Sequence, residues 1–156
     1  MTTTLEDAID GLAGPAGKRH RRDVHTLARH LADDPRFAGC TVGELADLVR
    51  AGTTVSVPAH WAFVQQGAPA HDLYLLLSGH ADVFRRRQSV ASIGAGDLVG
   101  ELALLRGGER TATVTSADPI RALRIDYKRL GPVLARHPAV HHFIAGVGAE
   151  RTGTAA

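Results

Sequence analysis

Residues Gly94 to Val114 read Gly-Ala-Gly-Asp-Leu-Val-Gly-Glu-Leu-Ala-Leu-Leu-Arg-Gly-Gly-Glu-Arg-Thr-Ala-Thr-Val. A glycine-rich turn leads into one short helical turn, a Gly-Gly break follows, and an alternating strand begins. Gly100 lets the backbone approach a ligand closely or take a positive φ that other residues resist. The amides of Glu101, Leu102 and Ala103 then open a helical turn, where unpaired N–H groups and the helix dipole favour an anion. Arg110 starts the following strand, and its guanidinium grips two phosphate oxygens in a way that a lysine does not. Glu101 is an acceptor-only carboxylate, suited to sugar hydroxyls. An acid and a base around one small pocket point to a ligand that is both a sugar and a phosphate.

With these residues in place, Gly100-Glu101-Leu102-Ala103-Leu104 followed by Arg110-Thr111-Ala112-Thr113-Val114 resembles the phosphate-binding cassette of cyclic nucleotide-binding domains. That module occurs in catabolite activator protein-like regulators and in cyclic-nucleotide-dependent kinases and channels. Gln65-Gln66-Gly67, Leu73-Tyr74-Leu75-Leu76-Leu77-Ser78-Gly79 and Ala81-Asp82-Val83 resemble the family's earlier strands and turns, in the right order. The resemblance runs from about Asp34 to His142. It implies a mainly β fold with flanking helices: an antiparallel β-roll of the jelly-roll type, N-terminal helices before it and C-terminal lid helices after it. It also implies that Glu101 binds the ribose 2′-hydroxyl and Arg110 the cyclic phosphate, with backbone groups of Gly100, Leu102 and Ala103 completing the grip. In the family a threonine at the position of Thr111 can hydrogen-bond a guanine amino group. One neutral hydrogen bond is worth only about 0.5–1.5 kcal/mol, so Thr111 does not decide the base. Cyclic AMP is the expected ligand, with cyclic GMP as the alternative.

The chain of 156 residues suits one domain with a real core. Aromatic residues make up only 4%, so the core should be aliphatic and alanine-rich. The formal net charge is +2, and sixteen of the eighteen basic residues are arginine, a compositional habit rather than a nucleic-acid signal. Cys40 stands alone, which excludes an intrachain disulfide and suits a reducing compartment. The N-terminus lacks an apolar signal region, and no apolar run approaches transmembrane length. A cytoplasmic protein with no membrane partner is expected.

Residues 1–17 read as a flexible arm, because Leu5, Ile9 and Leu12 have helical spacing but no evident cap. A single domain then spans 18–150: helices over 18–50, the roll over 53–125 and C-terminal helices over 126–150. Residues 151–156 read as a disordered tail. Val24, Leu27, Ala28 and Leu31 form the stripe of the first helix. Its start carries Lys18-Arg19-His20-Arg21-Arg22, at the wrong end for the helix dipole. That run is read as solvated, with a nucleic-acid arm as the weaker reading, so nucleic acid is not expected as a partner. Thr41 with Glu44 forms a capping box for the next helix, and Gly52 ends it.

From Thr53 to Ile125 short strands alternate with Gly, Pro and Asp turns, the pattern of a roll or barrel. The expected strands are 53–57, 61–65, 73–78, 80–86, 89–93, 110–116 and 120–125. Asp126 caps a helix to about His137, which Pro138 closes. A last segment, 139–150, carries Val140, Phe143, Ile144 and Val147 at helical spacing, weakened by Gly146 and Gly148. The family's last helix is a lid over the base, and Phe143 is the candidate base contact there.

Other constellations carry less. Arg86-Arg87-Gln88-Ser89 resembles a basophilic kinase site but reads better as a polar hairpin tip. His137 and His141 have helical ligand spacing, yet Pro138 interrupts them and no partner is evident, so no metal is expected. Gly94, Gly96 and Gly100 have the wrong spacing for a dinucleotide fingerprint. No catalytic serine, Cys–His pair or paired carboxylates stand out, so the chain is not expected to be an enzyme or to need a cofactor. The expected function is a cyclic-nucleotide sensor that changes helix arrangement and signals to a separate protein effector. Residues 126–156 are too few for the winged helix of related regulators, and a homodimer is left open. The alternative is an interaction module that keeps the fold and works without ligand. A haem or redox role through Cys40 or a histidine ranks last.

Overall fold

The computed structural model describes residues 4–13 and 17–154; the side chains of 18, 102, 105–106 and 147–154 fall outside the description. Helices α1 (Leu5–Leu12), α2 (Lys18–Ala32) and α3 (Val42–Ala51) precede the strands, with a 3-10 turn at Pro35–Phe37 between the last two. Eight strands follow: β1 (Thr53–Val57), β2 (Ala62–Val64), β3 (Asp72–Ser78), β4 (Ala81–Arg85), β5 (Gln88–Ile93), β6 (Leu98–Val99), β7 (Thr113–Ser116) and β8 (Ile120–Asp126). Helix α4 (Glu101–Arg106) lies between β6 and β7, and α5 (Tyr127–Arg136) and α6 (Pro138–Thr154) end the chain. The strands form two antiparallel sheets, ordered β1-β8-β3-β6 and β2-β7-β4-β5. This is the expected helix-flanked β-roll.

Strand β3 of the first sheet is covered on both faces, which explains why it reads as a nearly continuous apolar run. On β3, Leu73, Leu75 and Leu77 join the helical core, whereas Leu76 joins the roll interior. On β8, Leu123 and Ile125 face the helices, and Ile120 and Ala122 face the roll. Period-two alternation therefore sorts one strand's residues between two separate cores. The register sets Leu75 opposite Leu123 and Val55 opposite Ala122.

The Thr41–Glu44 capping box is present. The Thr41 hydroxyl accepts from the Glu44 amide at 3.2 Å, and the Glu44 carboxylate accepts from the Thr41 amide at 2.9 Å. Thr41→Ala is expected to lower stability by about 1 kcal/mol, a fall of roughly 2–4 °C in melting temperature for a chain of this size. An unshifted thermal midpoint would show that the box contributes nothing.

Residues 5–12 depart from the expected arm. A second capping box forms at Thr4, whose hydroxyl accepts from the Asp7 amide at 3.1 Å while Asp7 accepts from the Thr4 amide at 3.3 Å. Ala8 and Ile9 are fully buried, and Arg121 on β8 pairs with Asp10 at 2.7 Å and Glu6 at 3.5 Å. Gly11 permits close packing on α2, since a Cβ there would collide with the buried Asp23 carboxylate. The cap uses Asp rather than Glu at its third helical position, and the long-range ion pairs leave no local trace. Residues 1–3 and 14–16 of the expected arm lie outside the described residues. At the other end α6 continues to Thr154, past the expected limit at 150, and residues 155–156 lie outside the description.

Two strand expectations also change. β6, at two residues, is too short to show alternation, and β7 begins at Thr113 rather than Arg110. Arg110 is instead held by a short backbone bridge: its amide donates to the Ala68 carbonyl at 2.8 Å, and its carbonyl accepts from the Gly67 amide at 2.9 Å. The Gln65-Gln66-Gly67 turn thus fixes the backbone that carries the arginine. The Gly94–Asp97 turn is fixed from the other side by Arg36, which bonds Asp97 at 2.6 Å and the Ala95 carbonyl at 2.8 Å.

The break between α5 and α6 falls at His137, and Pro138 opens α6, where its missing N–H costs nothing. The His137 ring anchors this junction to α3 through Asp47 at 2.7 Å. That hydrogen bond holds the Asp47 carboxyl below its ordinary range; partial burial opposes the shift, and Arg136 and Arg50 support it. A depressed carboxyl pKa contributes stability above the unfolded-state value, and the contribution is lost as the pH falls through the folded value. Asp47→Asn is therefore expected to flatten the acid side of the stability profile below about pH 4. Denaturant unfolding at stepped pH checks this, and an unchanged slope would remove Asp47 from the account.

Candidate ligand-binding site

Gly100 takes the left-handed conformation, with φ 101° and ψ 0°, and forms the N-cap of α4. Having no side chain, it offers no side-chain acceptor to the first-turn amides of Glu101, Leu102 and Ala103. Its carbonyl is used twice, accepting from the Leu104 amide at 3.1 Å and from the Tyr127 hydroxyl at 2.7 Å. The missing Cβ is a spatial requirement as well as a conformational one. A Cβ at Gly100 would collide with Nη1 of Arg110 and lie 2.9 Å from the Asp72 carbonyl. The turn and the arginine, ten positions apart in sequence, therefore occupy one site.

Arg110 is 8% exposed and Glu101 1%. Charged groups at such burial are rare unless paired. Nη2 of Arg110 pairs with Asp72 at 2.6 Å, and its guanidinium lies over the Tyr74 ring at 6.0 Å. Nη1 of Arg110 is buried with no hydrogen-bond partner among the described residues. Asp72 thus holds one side of the guanidinium, while Nη1 on the other side has no hydrogen-bond acceptor among the described residues. Arg124, half-exposed on β8, adds a second positive charge 3.9 Å from Asp72.

Tyr127, the first residue of α5, links the site to the C-terminal helices. Its amide donates to the His71 carbonyl at 2.9 Å, beside β3, and its hydroxyl reaches the Gly100 carbonyl. Burial pushes the Tyr127 hydroxyl above its ordinary pKa, with the Arg110 charge opposing, so it stays protonated and donates. The start of α5 is therefore tied to both the strand and the cassette.

The structure brings together Gly100, Glu101, Ala103 and Arg110; the Leu102 backbone belongs to α4, and its side chain lies outside the described residues. Thr111 is exposed, and the hydroxyl engaged nearby is that of Thr113, which accepts from the Gln66 amide at 3.0 Å. Phe143 packs against Phe37 with ring centroids 4.3 Å apart, within the helical core. A base contact would require Phe143 to leave that packing. Asp72, Tyr74 and Tyr127 were missed by sequence reasoning. Asp72 lies 38 residues from Arg110, and Tyr127 lies 27 from Gly100, separations at which no local pattern operates. Among the described residues, no group of three or more His, Cys, Asp or Glu side chains could hold a metal ion. No helix among them is long and apolar enough to cross a membrane.

Comparison with known proteins agrees with this geometry. Residues 54–137 match the family model of the cyclic nucleotide-binding domain. A cAMP-dependent protein kinase regulatory subunit from Aspergillus fumigatus is 34% identical over 109 residues, covering 66% of this chain and 26% of that protein. A Pycsar effector protein from Burkholderia cepacia is 29% identical over 133 residues, covering 85% of this chain and 42% of that protein. The chain thus spans less than half the length of either relative. Among solved structures, the catabolite activator protein of Thermus thermophilus superposes with a TM-score of 0.72 at 28% identity, covering 78% of this chain and 60% of that one.

Proposed function

The chain belongs to the cyclic nucleotide-binding domain family, and from that premise we propose that it is a cyclic-nucleotide sensor, with cyclic AMP as its ligand and cyclic GMP as the alternative. One observation carries the reading: Nη1 of Arg110 is buried without a hydrogen-bond acceptor among the described residues, while Asp72 holds the other side of the same guanidinium. A cyclic phosphate supplies the missing acceptor, and a charge-assisted hydrogen bond is about twice as strong as a neutral one. Glu101 takes the ribose hydroxyl, and the first amides of α4 take the remaining phosphate oxygens. The domain binds rather than catalyses.

Ligand binding acts on α5 through Tyr127. A ligand shifts helix arrangement only as far as it prefers one arrangement over the other. A phosphate that draws the cassette inward moves the Gly100 carbonyl, and the Tyr127 hydroxyl follows it or releases it. Either change alters how α5 leaves β8, and through the His137 junction how α5 and α6 sit against α3. A separate protein effector reads that change.

Titration calorimetry with cyclic AMP and cyclic GMP, on protein freed of copurified nucleotide, tests the proposal. The expected result is saturable binding at micromolar or tighter, about −8 kcal/mol. No heat and no thermal shift with either nucleotide would reject the sensor and leave a ligand-independent interaction module.

A further inference from the structure

A cavity of about 240 Å³ lies away from the cassette, where α2, α3, α5 and the start of β1 meet. Three basic side chains line it, each from a different helix: His20 from α2, Arg50 from α3 and Arg129 from α5. Thr53 and Thr54 of β1 also line it, and no carboxylate does so among the described residues. Nδ1 of His20 is buried there without a hydrogen-bond partner among those residues. Arg50 spends one nitrogen on Asp47, at 2.7 Å, and neither Arg129 nor His20 forms an ion pair among the described residues.

This arrangement is unfavourable as it stands. Arg50 and Arg129 are exposed at the mouth of the cavity, where water screens but does not abolish the repulsion of like charges. The buried His20 atom without a partner carries its full desolvation penalty. His20 also lies in the first turn of α2, where no acidic residue offsets the positive end of the helix dipole. An anion removes all three difficulties at once. The volume corresponds to roughly eight waters and falls below the ~300–1,000 Å³ of sites for drug-sized ligands. The occupant is therefore small.

We propose that this cavity is a separate anion site for inorganic phosphate or a small phosphomonoester, held by Arg50 and Arg129 with His20 and Thr54. Two guanidiniums suit phosphate oxygens better than two ammonium groups would, and Thr54, opposite Leu123 on the helical face of β1, adds a neutral hydroxyl donor. A bound anion would join α5 to α2 and α3, on the side of α5 away from the cassette. The site does not depend on the nucleotide reading, because it shares no residue with the cassette.

The test is a titration of the whole chain with inorganic phosphate and, separately, with glycerol 3-phosphate, at constant ionic strength kept by chloride. Thermal unfolding and the His20 imidazole resonances are followed. A saturable rise in melting temperature with a shift of the His20 signals is expected from at least one probe. Affinity should fall about tenfold for Arg129→Gln, as for the loss of one charged hydrogen bond. Arg50→Gln should weaken binding likewise, and Arg86→Gln in the β4–β5 turn should not. Arg110→Ala should leave the response intact, which separates this site from the cassette. Preference for one probe over the other identifies the occupant as free phosphate or a monoester. The proposal is overturned if neither probe saturates, if chloride reproduces the effect, if Arg129→Gln titrates like the parent, or if Arg110→Ala abolishes the response.

Discussion

Arg110→Ala is expected to weaken cyclic-nucleotide binding by about 30-fold to several thousand-fold, the equivalent of ~2–5 kcal/mol for truncating one partner of a buried charged pair. The size follows from burial. Arg110 is 8% exposed and lies over the Tyr74 ring, so its hydrogen bonds form where water competes poorly. Removing it leaves the phosphate with amides alone. The fold should survive, because Asp72 keeps partial solvent access and Arg124 is 3.9 Å away. Arg110→Lys retains the charge but reaches Asp72 and the phosphate with one nitrogen instead of two, and an intermediate loss is expected. Calorimetry with parallel thermal unfolding separates affinity from stability. Near-parental affinity in a folded Arg110→Ala protein would remove the arginine from the site, and with it the proposed binding mode.

Gly100→Ala should be nearly as damaging, for a steric reason. A left-handed backbone costs an alanine roughly 1–2 kcal/mol, and Gly100 is at φ 101°. The added methyl also meets Nη1 of Arg110, the Asp72 carbonyl at 2.9 Å and the Tyr127 hydroxyl at 3.4 Å. The arginine is the one of these that can swing away, and its displacement takes away the phosphate contact. A fall of about 2–4 °C in melting temperature per kcal/mol of strain should accompany at least a ~10-fold loss of affinity. Parental affinity together with a parental melting temperature would mean that the cassette turn does not need glycine. Loss of stability with full affinity would mean that the strain is relieved without moving Arg110.

The expectations that held were carried by short separations. The Thr41–Glu44 box spans three residues, and both of its hydrogen bonds form as the residue types require. Short runs bounded by Gly, Pro and Asp turns placed β1, β3, β5 and β8 to within a residue or so, and two-sided burial of β3 leaves the run Leu73-Tyr74-Leu75-Leu76-Leu77. The pairing of Gly100 with Arg110 was legible because a hairpin-scale loop, α4 and its Gly107-Gly108 break, separates them. The basic run at Lys18–Arg22 had no evident use in one dimension, and part of it is now seen to line a cavity.

Amino-acid order alone was enough for the α3 cap and the residue types of the cassette, which depend on side-chain chemistry over a few positions. The helix-flanked roll followed from the resemblance of several spaced motifs to the cyclic nucleotide-binding domain family. Packing in three dimensions was needed for the docking of α1 through Arg121, the shortened β7, Asp72 as the partner of Arg110, Tyr127 as the tether of α5, and Phe143 against Phe37. Each of these joins groups brought together by chain closure. A carboxylate 38 residues away leaves no periodic mark on the sequence around an arginine. Only the folded chain brings the two within 2.6 Å, at a burial where their charges must pair.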